Sequence, residues 1–334
     1  MLSQTVLLGL LTAGWSAAQT AFVQTSAPQI SATQPSAAQS VAASPGALPL
    51  GTGSLSTGPL GTPPGVGPDP AQGSAASSPA TSPIEALISA LKRSWLAEAR
   101  GEAVLELVFP PSTTPLRRAR ALPRLTAVAA LIRRNFVVTV GAATETVAGR
   151  AALRYTLTPR NAHAARWTIW TDQKWKVPLA YQERMPGGSL ARRAELTTVD
   201  PALTKLTATA SVPLSGSPAL KKILFAALPG LKLPAGFEPL SAQVRTDAAG
   251  TTSTEVLLTD GLNLLALVVS PRPVQAASGV AVRRLKGQAV WLVGNLPQGT
   301  LESALAGIQR LNLQAVSNLP SRPGTSGAPA ASDQ

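Results

Sequence analysis

The stretch that decides the fold is Val147–Glu183, VAGRAALRYTLTPRNAHAARWTIWTDQKWKVPLAYQE. Its apolar residues recur at every second position. In AALRYTLT, Leu153, Tyr155 and Leu157 take one face while Arg154, Thr156 and Thr158 take the other. That is the period of a strand, because successive Cβ atoms of an extended chain point to opposite sides. FVVTVG before it, RWTIWT and PLAYQER within it and AELTTV after it continue the pattern over Phe136–Val199. Pro159-Arg160-Asn161 and Pro186-Gly187-Gly188 mark turns between them. The expectation is an antiparallel meander with one buried face. Arginine on the polar face also keeps exposed edges from pairing with other chains.

Helical signals flank this meander. In SPIEALISALKRSWL, Ser82 reads as an N-cap, Pro83 as the first helical residue and Glu85 as the far half of a capping box. Ile84, Leu87, Ile88 and Leu91 form one apolar stripe. AVLELVF (Ala103–Phe109) alternates as a strand, and LPRLTAVAALIRRNF predicts a second helix with Leu125, Val128, Ala129 and Ile132 on one side. After a Pro/Gly/Ser-containing boundary at Val212–Pro218 come a helix capped by Ser217, a strand around Val244 and STEVLLTDGLNLLALVV. Asp260-Gly261 between two apolar runs signals a hairpin. QAVWLVG adds a strand, and TLESALAGIQRL a closing helix opened by Thr300. The fold class expected is α+β: a larger antiparallel sheet domain over residues 83–210, then a small α+β domain over 217–316.

Composition bounds the rest. Residues 1–18 read as a secretory signal: Val6–Ala13 is apolar, small residues Ser16-Ala17-Ala18 follow, and no Lys or Arg precedes the run. Residues 19–82 are rich in Ala, Ser, Pro and Gly and cannot bury enough apolar surface to offset chain entropy, so a disordered leader is expected; 320–334 read the same way. The chain has no cysteine, which excludes disulfides, thiolate metal sites and lipid attachment through an N-terminal cysteine. Net charge is +13, and every Lys and Arg lies between Lys92 and Arg322. A basic folded part points to an acidic partner. Export, to the periplasm or elsewhere in the envelope, argues against nucleic acid.

Catalytic chemistry finds little to work with. His163 is the only histidine, in the loop-like NAHAAR, and reads as an exposed turn residue. Without cysteine or a second histidine a zinc site would need carboxylates for every other ligand. Asp172 and Asp260 fall in turns, where they satisfy backbone groups. There is no phosphate-binding or dinucleotide-binding glycine motif. Gly149 reads as a tight turn or bulge. No catalytic residue, metal or cofactor is assigned. What remains is a sheet with aromatic content. Alternation puts Trp167 with Ile169 on one face and Trp170 on the other, one set in the core, the other lining an apolar groove or covered by a helix. Trp167, Trp170 and Trp175 are the groove candidates.

NFVVTVGAATETVAGRAALRYTLTPRNAHAARWTIWTDQKWKVPLAYQE, followed in order by LPAGF, TDGLNLLALVV and VWLVGNLPQGTLESALAGIQ, resembles the RseB/MucB family of periplasmic sigma-factor regulators over about Phe136–Leu313. The resemblance implies a larger domain similar to LolA and LolB, a half-open antiparallel barrel closed by helices over an apolar cavity. It implies a non-enzymatic regulator that binds the periplasmic part of a membrane anti-sigma factor and is released by a lipid or lipoprotein acyl chain. The matching residues Val147, Ala148, Gly149, Arg150, Asp260, Gly261 and Gly294 are read as structural signatures. The alternative is a LolA/LolB-type lipid or lipoprotein carrier, which would lack the smaller domain. A structural envelope protein with a salt-sensitive basic face is a third.

Overall fold

Alternation along the meander becomes a run of strands. In chain order the first part contains helix α1 (Pro83–Arg93), strands β1 (Ala97–Glu98), β2 (Arg100–Leu107) and β3 (Leu116–Ala121), helix α2 (Ala129–Asn135), then β4 (Phe136–Val140), β5 (Glu145–Val147), β6 (Arg150–Pro159), β7 (Arg166–Asp172), β8 (Pro178–Arg184), β9 (Leu190–Leu196) and β10 (Thr204–Lys205). The second part contains α3 (Pro218–Ala227), β11 (Glu238–Thr246), β12 (Thr252–Thr259), β13 (Leu264–Ser270), β14 (Val280–Leu285), β15 (Gln288–Val293), α4 (Gln298–Ala306) and α5 (Leu313–Ser317). The computed structural model describes residues 82–109, 115–207, 218–246, 250–272 and 274–319, all in one compact unit. The signal segment, the leader to Thr81, the boundary at Val212–Ser217 and the tail from Pro320 lie outside the described residues.

The fold is α+β with open antiparallel sheets. The first sheet has eight strands in the order β3-β2-β9-β8-β7-β6-β4, with β5 also on β6. It is not a closed barrel, since β3 and β4 are its two edges. The chain lays down β2 and β3 at one edge, crosses the inner face and returns as the meander from β4 to β9. The inner face is a matched row: Tyr155 stands opposite Ile169, Ile169 opposite Tyr181 and Tyr181 opposite Ala194. Leu87, Ile88 and Leu91 of α1 and Leu125 and Ile132 of the crossover pack on that row and on Leu157 and Trp167. A one-residue slip of any strand would turn its core residues to solvent, so burial fixes the register.

Local departures from the expected elements have identifiable causes. The crossover helix covers only Ala129–Asn135, and Leu122–Val128 is not helical. Val128 is extended, and its N–H donates to Gly261 O at 3.0 Å rather than to a helical carbonyl. Leu125, Val128 and Ile132 are buried all the same. Ser82 is the N-cap of α1 but its side chain makes no capping bond. Glu85 instead accepts from Arg133 Nε and Nη2 at 2.7 and 2.8 Å, which ties α1 to α2. Pro83 occupies the first turn as expected. β9 ends at Leu196, earlier than AELTTV suggests, and Thr197 N–H turns to Glu102 O at 2.8 Å.

The second sheet runs β11-β12-β13-β15-β14. Its one face carries Leu258, Leu267, Val290 and Leu292 against Leu220 and Leu224 of α3 and Leu301 and Leu305 of α4. Leu240 on the opposite face packs with Val128 and Leu131, and Leu257 and Leu264 lean on that cluster. Helix α2 is thus shared: Ile132 enters the core of the first sheet and Leu131 lies on the second.

Leu157 is fully buried at the centre of the first core. We expect Leu157→Asp to abolish cooperative unfolding of the first sheet, because an unpaired buried charge costs several kcal/mol, on the order of a domain's whole stability. Denaturant unfolding followed by tryptophan fluorescence checks this, and a transition like that of the wild type would show the face assignment to be wrong.

Candidate functional site

The VAGR residues form a hairpin corner. Val147 and Arg150 are register partners, so Ala148 and Gly149 make a two-residue turn between β5 and β6. Both have positive φ, 50° and 75°, as a turn matching the twist of the strands requires. A Cβ on Gly149 would meet nothing within 4 Å, so its role is conformational. Arg150 leaves the turn to bond Asp172 Oδ2 through Nε at 2.6 Å, with its guanidinium 3.4 Å from the centroid of the Trp175 ring. Asp172 also accepts from the backbone N–H of Lys174 and Trp175. Burial works to raise its pKa, but Arg150 and these amides outweigh burial and hold it below the ordinary value of 3.8. An open depression bordered by Gly149, Arg150, Asp172 and Lys174 lies over this corner.

A second polar cluster lies where the two sheets meet. Asp260-Gly261 opens the connection between β12 and β13, and Asp260 Oδ1 accepts from the N–H of Leu262 and Asn263 at 3.2 and 2.9 Å. Asn263 Nδ2 donates to Asp260 Oδ2 at 2.7 Å and to Ala165 O at 3.3 Å, while Asn263 Oδ1 accepts from Trp167 Nε1 at 2.8 Å. Nearby, Glu183 accepts from Arg192 Nε and from Asn295 Nδ2, and Arg192 lies over the Trp167 ring, 4.7 Å from its centroid. Asn135 Nδ2 donates to Asp260 O at 2.7 Å and to Gly236 O at 2.9 Å, which fastens α2 to the LPAGF turn as well. Burial pushes Asp260 up to about 6 against the pull of its hydrogen bonds, and burial raises Glu183 against Arg192.

The remaining glycine signatures act by close approach. A Cβ on Gly261 would sit 2.7 Å from Ile132 N, and one on Gly294 2.1 Å from Leu265 Cδ2. The groove candidates are placed apart. Trp167 is fully buried on the inner face. Trp170 is half-buried on the outer face, its Nε1 donating to Glu145 Oε2 at 2.6 Å, and Trp175 lies under Arg150. One cavity between Leu122, Leu125 and Tyr181 offers about 30 Å³, against ~300–1,000 Å³ for pockets that enclose a small molecule. His163 is exposed, with its backbone N–H on Asn161 Oδ1 at 3.1 Å. No group of three or more His, Asp or Glu side chains among the described residues converges to hold a metal ion. Sequence reasoning missed Asn135, Glu183, Arg192, Asn263 and Asn295. Only Asn263 carried a signal, since it follows a turn aspartate at the spacing of a side-chain-capped turn.

No protein-family model matches the chain, and no curated protein matches it. Among solved structures it is similar to MucB in complex with MucA(peri), with 18% identity and a TM-score of 0.47 over 69% of this chain and 99% of that one. It is similar to MucB alone, with 19% identity and a TM-score of 0.46 over 67% of this chain and 97% of that one. The MucA/MucB complex of Pseudomonas aeruginosa gives 18% identity and a TM-score of 0.45 over 69% and 99%. Likeness of this size assigns no function.

Two outcomes follow from the geometry. Gly149→Ala meets open space and should cost roughly 1 kcal/mol for its left-handed backbone; Gly261→Ala should cost roughly 1–3 kcal/mol more through overpacking against α2. Equal losses in denaturant unfolding would remove the close-approach argument. For Asp260, the folded form binds a proton more tightly than the unfolded one, so its penalty is absent below the ordinary value of 3.8, grows as pH rises and is complete above about 6. Relative to Asp260→Asn, the wild type should lose roughly 3 kcal/mol between those limits. Parallel pH profiles of the two unfolding free energies would contradict the assignment.

Proposed function

We propose that the chain is an exported, non-catalytic regulator that binds the periplasmic segment of a membrane-anchored anti-sigma factor. The observation that carries this reading is the employment of the motif residues shared with the RseB/MucB pattern. Arg150 braces a hairpin corner, Gly261 admits α2, and Asp260 with Asn263 fixes one sheet on the other. These are the parts of a rigid two-sheet platform, and the titratable groups among them are turned inward on each other. A base must reach a substrate proton to act. Glu183 and Asp260 are buried and already hydrogen-bonded within the protein, which suits holding the sheets together. The smaller sheet also favours a regulator over a carrier of the LolA/LolB type, and the two sheets correspond on this reading to the two domains expected at 83–210 and 217–316.

The test is native mass spectrometry of the mature protein purified from its own envelope. The expected result is a co-purifying protein with one membrane span, whose isolated periplasmic segment rebinds the chain and is degraded faster in cells that lack it. A bound lipid with no protein partner would overturn the regulator in favour of the carrier.

A further inference from the structure

The outer face of the first sheet has a feature that edge protection does not explain. Arg166 on β7 stands directly opposite Arg184 on β8. Both are exposed, and neither has a carboxylate partner among the described residues. Cross-strand partners have Cβ atoms about 5 Å apart, and like charges so placed weaken a sheet. Charges guard edges against unwanted pairing, but β7 and β8 are interior strands of the sheet. Arg184 is also held in place: Nη1 donates to Gly188 O at 2.8 Å, and the Gln182 amide, in the orientation that turns its oxygen to Arg184, accepts from Nε at 3.0 Å and Nη2 at 2.8 Å. In the next row Thr168 stands opposite Gln182 and Gln182 opposite Arg193, whose charge is already matched by Glu195. The unmatched pair therefore sits beside neutral hydrogen-bonding groups on an open face.

We propose that this face docks an acidic, extended segment of a partner protein, with a carboxylate seated between Arg166 and Arg184. Two guanidinium groups side by side, one of them held in place, suit a carboxylate. Charge complementarity selects an acidic partner for a chain of net charge +13. A polypeptide rather than a phosphate polymer is indicated by the edges of the same face, where Val137 at one side is 45% exposed and Leu116 at the other 62%. Both await apolar side chains that a polyphosphate does not carry. The proposal rests on the reading of the chain as a protein-binding platform.

The test is fluorescence anisotropy of the full chain with a labelled peptide of alternating Glu and Val, at low and high salt. Arg166→Glu with Arg184→Glu should weaken binding about tenfold or more, as a charge reversal at the contact does. Lys222→Glu with Arg310→Glu, an equal change of net charge at exposed sites of the second part, should weaken it less than about threefold. Thermal melts of both variants near that of the wild type show that they are folded. Equal losses in the two variants, no binding by the wild type, or equal binding of inorganic polyphosphate or phosphatidylglycerol vesicles with the same dependence on Arg166 and Arg184 would each overturn the proposal. If the reversed variant still captures the single-span membrane protein as the wild type does, the face is wrong and the regulator stands. If peptide binding depends on the pair but no such protein is captured, the regulator falls and the face stands.

Discussion

Everything in this fold depends on polar groups being satisfied at the place where two apolar cores meet. Trp167 is buried in the first core, and its indole N–H needs an acceptor there. Asn263 supplies one from the second sheet, and Asp260 holds Asn263 by accepting from both its amide nitrogens. Each member satisfies the next, so a displacement of the sheets would leave a donor or acceptor unpaired in a dry place. Such an orphan costs about 1–3 kcal/mol. Helix α2 fills the remaining space because Gly261 beneath it has no side chain.

Arginine does more than raise the net charge. Arg133 joins α1 to α2 through Glu85, Arg150 closes the β6 corner on Asp172 and Trp175, and Arg192 neutralises Glu183 while covering Trp167. A planar guanidinium can bond a carboxylate edge-on and stack on a ring with its face, which lysine cannot do. The structural arginines each meet an acid of this chain. The surplus that gives a basic surface lies elsewhere, on exposed positions such as Arg118, Arg120, Arg166 and Arg184.

What was legible in the sequence is what has a short period. Leu153, Tyr155 and Leu157 alternate, and the strand and its buried face follow from that alone. The two-residue turn at Ala148-Gly149 and the connection at Asp260-Gly261 were likewise written in local residue types. Strand β3 was not legible: LRRARA has the composition of a solvated charge run, and it becomes a strand only because β2 is there to pair with it. The helical spacing of Leu125 and Val128 from Ile132 predicts a longer α2, yet the Val128 N–H bonds Gly261 O, a partner far along the chain that no local pattern announces. The junction escaped for the same reason. Alternation puts Glu183 on the face of Tyr181 and Arg192 on the face of Ala194, but nothing local shows that the two meet each other and Asn295 until the register of β8 and β9 is known.

A junction made of leucines would hold the sheets as tightly and at less desolvation cost, since replacing buried ion pairs by apolar residues is often neutral or stabilising. Burial of apolar surface, however, is indifferent to direction. Leu131 could slide along Leu257 and Leu264 with small loss, whereas Trp167 Nε1 has one acceptor and Asn263 one orientation that serves both Asp260 and Ala165. The polar cluster therefore sets the relative placement of two surfaces that packing alone would leave loosely determined. That constraint is what the proposed role asks for, since a chain that presents a face to another protein must hold that face in one place.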